Sequence, residues 1–173
     1  MFNNKRVFIP AALILTSFVG VFAANAQSPQ CYTLASLQGS YAVIGNYGSN
    51  IAIALATRYL DGNGNLTGTF VVNEPTAGSS TGARTLVLGT QAGTYTVNCD
   101  GTGQFTRITT QANGTVSTGV DDFVITGSIV KDGKFIVTAI VDAMQTPSTI
   151  VPGGVFLTRT HTRLADRPGP PQP

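Results

Sequence analysis

Few residues of this chain can do ionic or acid–base chemistry, and five of them stand inside otherwise apolar or Thr-rich runs: Arg58, Arg107, Asp142, Arg159 and His161. A charge that faces the inside of a small fold needs a partner or a ligand. Arg159, His161 and Asp142 fall on the last two strand-like runs, which should be neighbours. Gathered at one mouth of a barrel, they would hold an anionic or polar small ligand. The more economical expectation is that these side chains face solvent and block strand edges with charge. His161 is the sole histidine, flanked by Arg159 and Arg163. Two cations disfavour its protonated form, and a histidine on a polar face is the simpler reading.

Other motifs carry less. Gly78-Ser79-Ser80-Thr81-Gly82 has the G-x-S-x-G pattern. A nucleophile elbow needs a strand before it and a helix after it, whereas Ser80 sits in a polar loop. Asp61, Asn63 and Asn65 imitate the start of a calcium loop, but its sixth and twelfth positions are Leu66 and Val72 instead of Gly and Glu. A hairpin turn explains them without metal. Asp121 and Asp122 are adjacent, so on a strand they point to opposite faces and do not pair. With one His and two Cys, no zinc site is expected. No catalytic set, metal or cofactor is expected.

The elements that must position these residues are strands. The [DN]-G pairs Asp61-Gly62, Asp100-Gly101, Asn113-Gly114 and Asp132-Gly133 suit tight hairpins. Between them lie runs rich in Val, Ile, Thr, Tyr and Phe. The pattern predicts eight strands, near Gln38–Tyr47, Ile51–Leu60, Asn65–Asn73, Arg84–Asn98, Gly103–Gln111, Gly119–Val130, Lys134–Met144 and Gly153–Arg163. Gly89 and Gly93 predict a bulge or bend in the long fourth strand. Period-two alternation, as in Tyr41, Val43 and Tyr47 against Ser40 and Asn46, is that of a sheet with one buried face. Helix is expected only as a single turn near Thr33–Leu37. Asp61–Thr67 and Asp100–Thr106 both read D-G-x-G-[NQ]-apolar-Thr, which marks two equivalent hairpins.

The first 26 residues read as a secretory signal peptide. Lys5 and Arg6 precede the apolar stretch Val7–Ala23, and Ala24-Asn25-Ala26 supplies a small-x-small cleavage site before Gln27. The ten Lys and Arg of the chain less Lys5 and Arg6 leave eight, against eight Asp and Glu. The mature chain is thus formally neutral. Charged residues are only 10% of the sequence, against about 25% in an ordinary soluble domain. This excludes a nucleic-acid binder driven by charge. Export to the periplasm or beyond makes a Cys31–Cys99 disulfide the default, with two free thiols as the alternative. Residues 27–36 form an N-terminal arm, 37–163 the domain, and 164–173 a Pro-rich disordered tail.

Eight antiparallel strands with short turns most economically close into a single up-and-down barrel, with a β-sandwich as the alternative. The aromatics form no girdle, so stable membrane insertion is not expected. Phe135–Met144 is apolar on both faces, and its outer face needs cover by the arm, a loop or a second copy in a homo-oligomer.

The strings Leu37-Gln38-Gly39-Ser40-Tyr41-Ala42, Leu60-Asp61-Gly62-Asn63-Gly64-Asn65-Leu66-Thr67-Gly68 and Gly93-Thr94-Tyr95-Thr96-Val97-Asn98, the last followed by Asp100-Gly101-Thr102-Gly103, resemble a bacterial family of exported proteins. That family carries L-x-G-x-Y, D-G-x-G-x-h-T-G and G-T-Y-T-V segments. The resemblance spans most of Leu37–Arg163. It implies a calycin-like or allene-oxide-cyclase-like barrel and brings no catalytic residue with it. The expected function is a non-catalytic exported barrel that binds a small polar or apolar ligand or has a structural role in the envelope. The alternatives are an isomerase- or cyclase-type barrel enzyme and a surface module recognising carbohydrate or protein.

Overall fold

A computed structural model describes residues 31–47, 51–147 and 156–165. The signal-peptide stretch and residues 166–173 of the tail lie outside them, as do residues 153–155 at the start of the expected last strand. The chain forms eight strands: β1 (Gly39–Asn46), β2 (Ile53–Leu60), β3 (Asn65–Pro75), β4 (Arg84–Val97), β5 (Thr102–Gln111), β6 (Val116–Lys131), β7 (Lys134–Met144) and β8 (Thr158–Arg163). Each pairs antiparallel with the next, and β8 returns to pair with β1 through Tyr41–Arg163 to Asn46–Thr158. The sheet is therefore a closed up-and-down barrel, as the strand count and turn spacing predict.

Closure gives every strand a neighbour on both sides over part of its length, while the outer part of β4 and the β6–β7 hairpin beyond Ile125 and Ala139 are paired on one side only. The turns follow the sequence. Lys131 pairs with Lys134 across Asp132-Gly133, and both turn residues take positive φ, 51° and 71°. That is the geometry a two-residue hairpin favours. Of the bulge or bend expected at Gly89 and Gly93, the bulge is absent from β4. β4 pairs with β3 and β5 through Gly89 and Gly93 without a register shift. The irregularity lies instead in β6, between Ile125 and Ser128. Gly89 and Gly93 serve close approach: a Cβ there would meet the carbonyl oxygens of Thr110 and Thr106 on β5. Gly68 and Gly103 stand likewise against Thr57 and Thr96. Such glycines let twisted strands coil tightly into a narrow barrel.

Alternation sorts the side chains. Tyr41 and Val43 of β1 are buried while Ile44 between Val43 and Gly45 is exposed. One end of the interior is filled by Leu37, Tyr41, Leu60, Leu66, Tyr95, Phe105, Phe123, Val137 and Ile140. Each large apolar side chain taken from water is worth about 1.5–3 kcal/mol. A single 3₁₀ turn, Leu34–Leu37, closes this end. The Tyr41 hydroxyl donates to Leu37 O at 2.9 Å, and the Tyr95 hydroxyl donates to Leu34 O at 3.1 Å. Just before the turn, Tyr32 stacks on Phe135 with ring centroids 4.6 Å apart. The Cys31–Cys99 disulfide ties the arm to the β4–β5 hairpin. It closes a loop 68 residues long, which stabilises by about 4 kcal/mol in the chain-entropy picture.

Candidate functional site

The five charged residues that the sequence singles out do not face solvent. Arg58, Arg107, Asp142, Arg159 and His161 are all buried, which corrects the expectation of edge-blocking charge. Parity explains the reversal. Arg58 stands two residues from Leu60, Arg107 two from Phe105, and Asp142 two from Ile140. On a strand, residues two apart share a face. Once the aromatic and aliphatic residues choose the interior, the charges follow them inward. Asp121, two residues from Phe123, joins the same layer and is fully buried, whereas Asp122 is exposed and bonded to Gln145. The sequence reading placed that pair on opposite faces but did not count Asp121 as a site residue. Its spacing from Phe123 is the signal that finds it.

These six side chains form one polar layer across the barrel. Arg107 grips Asp121 through both Nε and Nη2, the latter at 2.8 Å from Oδ1. Arg159 bridges the two carboxylates: its Nε donates to Asp142 at 2.8 Å, and its Nη2 lies against Asp121 Oδ1. His161 Nε2 lies 2.7 Å from Asp142 Oδ2 and is the donor when the ring is neutral. Arg58 is the least satisfied. Its Nη2 donates to Gln91 Oε1 at 3.1 Å, and its Nη1 is 3.6 Å from Asp142. Nε and Nη1 have no hydrogen-bond partner, although only 1% of the residue is exposed. The guanidinium lies 4.9 Å from the Phe105 ring centroid, a cation–π contact that adds attraction but no acceptor.

The electrostatics follow from burial. Burial, opposed by the Asp142 hydrogen bond and reinforced by Arg58, pushes His161 down to about 4, so the ring is neutral at pH 7. Burial alone would raise Asp142, but the His161 hydrogen bond, Arg159 and Arg58 outweigh it and hold the carboxyl at about 2. Burial and the nearby Arg159 push Arg58 down to about 9, which still leaves it charged at neutral pH. Arg159 goes the other way: Asp142 and Asp121 outweigh the effect of burial and raise it. The layer thus holds three cations and two anions.

Beyond this layer the barrel is open. A cavity of about 460 Å³ begins at Arg58, Arg107 and Arg159 and runs to the rim. Val43, Phe70, Val72, Val87 and Leu157 give it an apolar wall. Gln91, Thr109, Gln111 and Ser117 give it a hydrogen-bonding wall. Glu74 lines it six residues along β3 from Gly68, the cross-strand partner of Arg58, which is about 20 Å at the rise of a strand.

The remaining motifs stay apart from this site. Ser80 is exposed in the β3–β4 loop, and β4 follows it at Arg84. The Asp61 carboxylate is used within its own turn, accepting from Asn63 N and from Asn65 N and Nδ2 at 2.7–2.9 Å. Among the described residues no three His, Cys, Asp or Glu gather as a metal site, and no helix is long and apolar enough to cross a membrane. Compared with family models, curated proteins and solved structures, the chain finds no match.

Proposed function

We propose that this chain is an exported, non-catalytic barrel that binds a small molecule in its open end. One observation carries the reading: the cavity of about 460 Å³ meets, at its floor, a buried arginine with unpaired donors. The volume lies within the range of small-ligand pockets, which pair mostly apolar walls with a few polar anchors. A packed structural barrel would fill this space with side chains, as the opposite end does. The Cys31–Cys99 bridge supports export, because disulfides persist in oxidising compartments. The sequence motifs shared with exported bacterial barrels point the same way. The His161–Asp142 pair does not support an enzyme reading. His161, pushed down to about 4 and so neutral at pH 7, is stacked on Phe105 at 5.5 Å, and its bonded nitrogen is spent on Asp142.

Protein exported from a native type of host tests this directly by mass spectrometry under native and denaturing conditions. The expected result is an added mass that denaturation releases. Ala56 lines the cavity, and Ala56→Phe puts a ring into it, so that variant should lose the added mass. No added mass in the native protein, together with no thermal stabilisation by any member of a small-molecule panel, overturns the reading.

A further inference from the structure

We infer that the ligand is a singly charged anion, a carboxylate on a partly apolar body, seated head-first on Arg58. The inference rests on the cavity being a binding site and names what it selects. Three guanidinium groups and two carboxylates meet in the layer, and His161 is neutral. One positive charge is therefore left over. The hydrogen bonds say which residue carries it. Both Arg107 and Arg159 reach carboxylate oxygens directly. Arg58 has one bond to an uncharged amide, a 3.6 Å approach to a carboxylate already shared by Arg159 and His161, and two nitrogens without an acceptor.

A buried cation without an acceptor is costly, and a carboxylate accepting from Nη1 relieves that cost through a charge-assisted bond. Arg58 lines the cavity, and an acceptor arriving from the open end reaches its guanidinium by displacing the side chains that close the unpartnered nitrogens off. The surplus of one positive charge in the layer matches one carboxylate, and a second negative charge at the head would go unneutralised. Glu74, the acidic residue lining the same cavity, stands near the rim and is too far away to neutralise Arg58. It also disfavours a body that carries more negative charge. The apolar wall of Val43, Phe70, Val72, Val87 and Leu157 then takes the rest of the molecule.

Titration calorimetry with decanoate, 1-decanol and acetate as probes separates the claims. Decanoate should bind the native protein about 10-fold more tightly than 1-decanol, since one charge-assisted bond is worth roughly tenfold. Acetate should bind more weakly than decanoate, because it leaves the apolar wall uncovered. Arg58→Met should abolish the preference for decanoate over decanol, and Arg58→Lys should keep part of it. In the absence of ligand, Arg58→Met should melt no lower than the native protein, because Asp142 retains Arg159 and His161. That result separates a lost anchor from a lost fold. Equal binding of decanoate and 1-decanol overturns the anionic head and leaves the cavity reading standing. Acetate binding as tightly as decanoate overturns the partly apolar body. If no probe binds either the native protein or Arg58→Met, and the exported protein carries no added mass, both readings fall together.

Discussion

At one end of the barrel Tyr41, Tyr95, Phe105 and Phe123 fill the bore, the 3₁₀ turn Leu34–Leu37 lies across it, and the two tyrosine hydroxyls donate to the turn's own carbonyls. At the other end β1 and β2 carry Val43, Gly45, Ala54 and Ala56 into the bore, and a cavity remains. Between the two regions lies the layer of Arg58, Arg107, Asp121, Asp142, Arg159 and His161. The strands do not change direction or parity along most of their length, so what fills the bore makes the difference. Four rings and the turn fill one end, whereas at the other the small residues of β1 and β2 leave space opposite Phe70, Val87 and Leu157. The ionic layer sits where the filling changes. It is held from one side by rings such as Phe105, and on the other it meets the open bore.

The sharpest way to break this comparison is to remove the charge that organises the layer. Asp142→Asn keeps the shape but leaves Arg159, Arg58 and His161 facing a neutral amide. Breaking a buried ion pair by removing one partner costs about 3–5 kcal/mol, and chemical denaturation should show a loss of that size. A loss below about 1 kcal/mol would mean that the layer contributes little to the fold. The next effect belongs to the plugged end. Cys31→Ser, with Cys99→Ser to avoid a lone thiol, should cost about 2–4 kcal/mol. It should leave decanoate affinity within about twofold, because sites far apart and without shared partners act independently. A large change in affinity would show that the plug and the pocket are one cooperative unit.

How much of this division was legible in the sequence depends on the element. The barrel was, because [DN]-G pairs mark turns and alternation marks strands, and both signals are local. The disulfide was, because only two cysteines follow Gln27. The burial of Arg58, Arg107, Asp142, Arg159 and His161 is not legible from the charge of each residue taken singly, and the parity rule that turns Tyr41 and Val43 inward decides it. An interior position two residues from Leu60 or Phe105 leaves Arg58 or Arg107 nowhere else to go. Asp121 was missed as a site residue for the same reason. What no local pattern contains is the pairing itself. Arg107 meets Asp121 across β5 and β6, and Asp142 meets Arg159 across β7 and β8. Those partners come from register and closure. The irregularity in β6 is likewise set between strands, so the glycines of β4 were a poor guide to it.

The last of the expected effects separates the two ends by pH. The unfolded chain holds His161 near its ordinary value of 6.5, whereas the folded barrel depresses it to about 4. Between those values the unfolded chain binds a proton that the folded one refuses, so stability falls as the solution is acidified. The full window is worth about 3 kcal/mol at 1.36 kcal/mol per pH unit. Asp142 adds a second step lower down. Its folded value of about 2 lies below the ordinary 3.8, so its contribution is intact above pH 4 and disappears as the pH falls towards 2. At the plugged end burial would raise Asp61 but hydrogen bonds from Asn65 and Asn63 lower it, and hydrogen bonds from Thr102 lower Asp100, so any step there falls below the His161 window. Burial, against the opposing pull of Arg163, raises the Tyr41 hydroxyl to about 12, and it stays protonated. Unfolding free energy measured from pH 7 to pH 3 should therefore slope downward from about pH 6.5. His161→Gln, which keeps an N–H donor for Asp142 but cannot titrate, should flatten the slope between pH 6.5 and 4. If the slope in the variant matches that of the native protein, the acid sensitivity lies outside the layer, and His161 does not hold its neutral place beside Asp142.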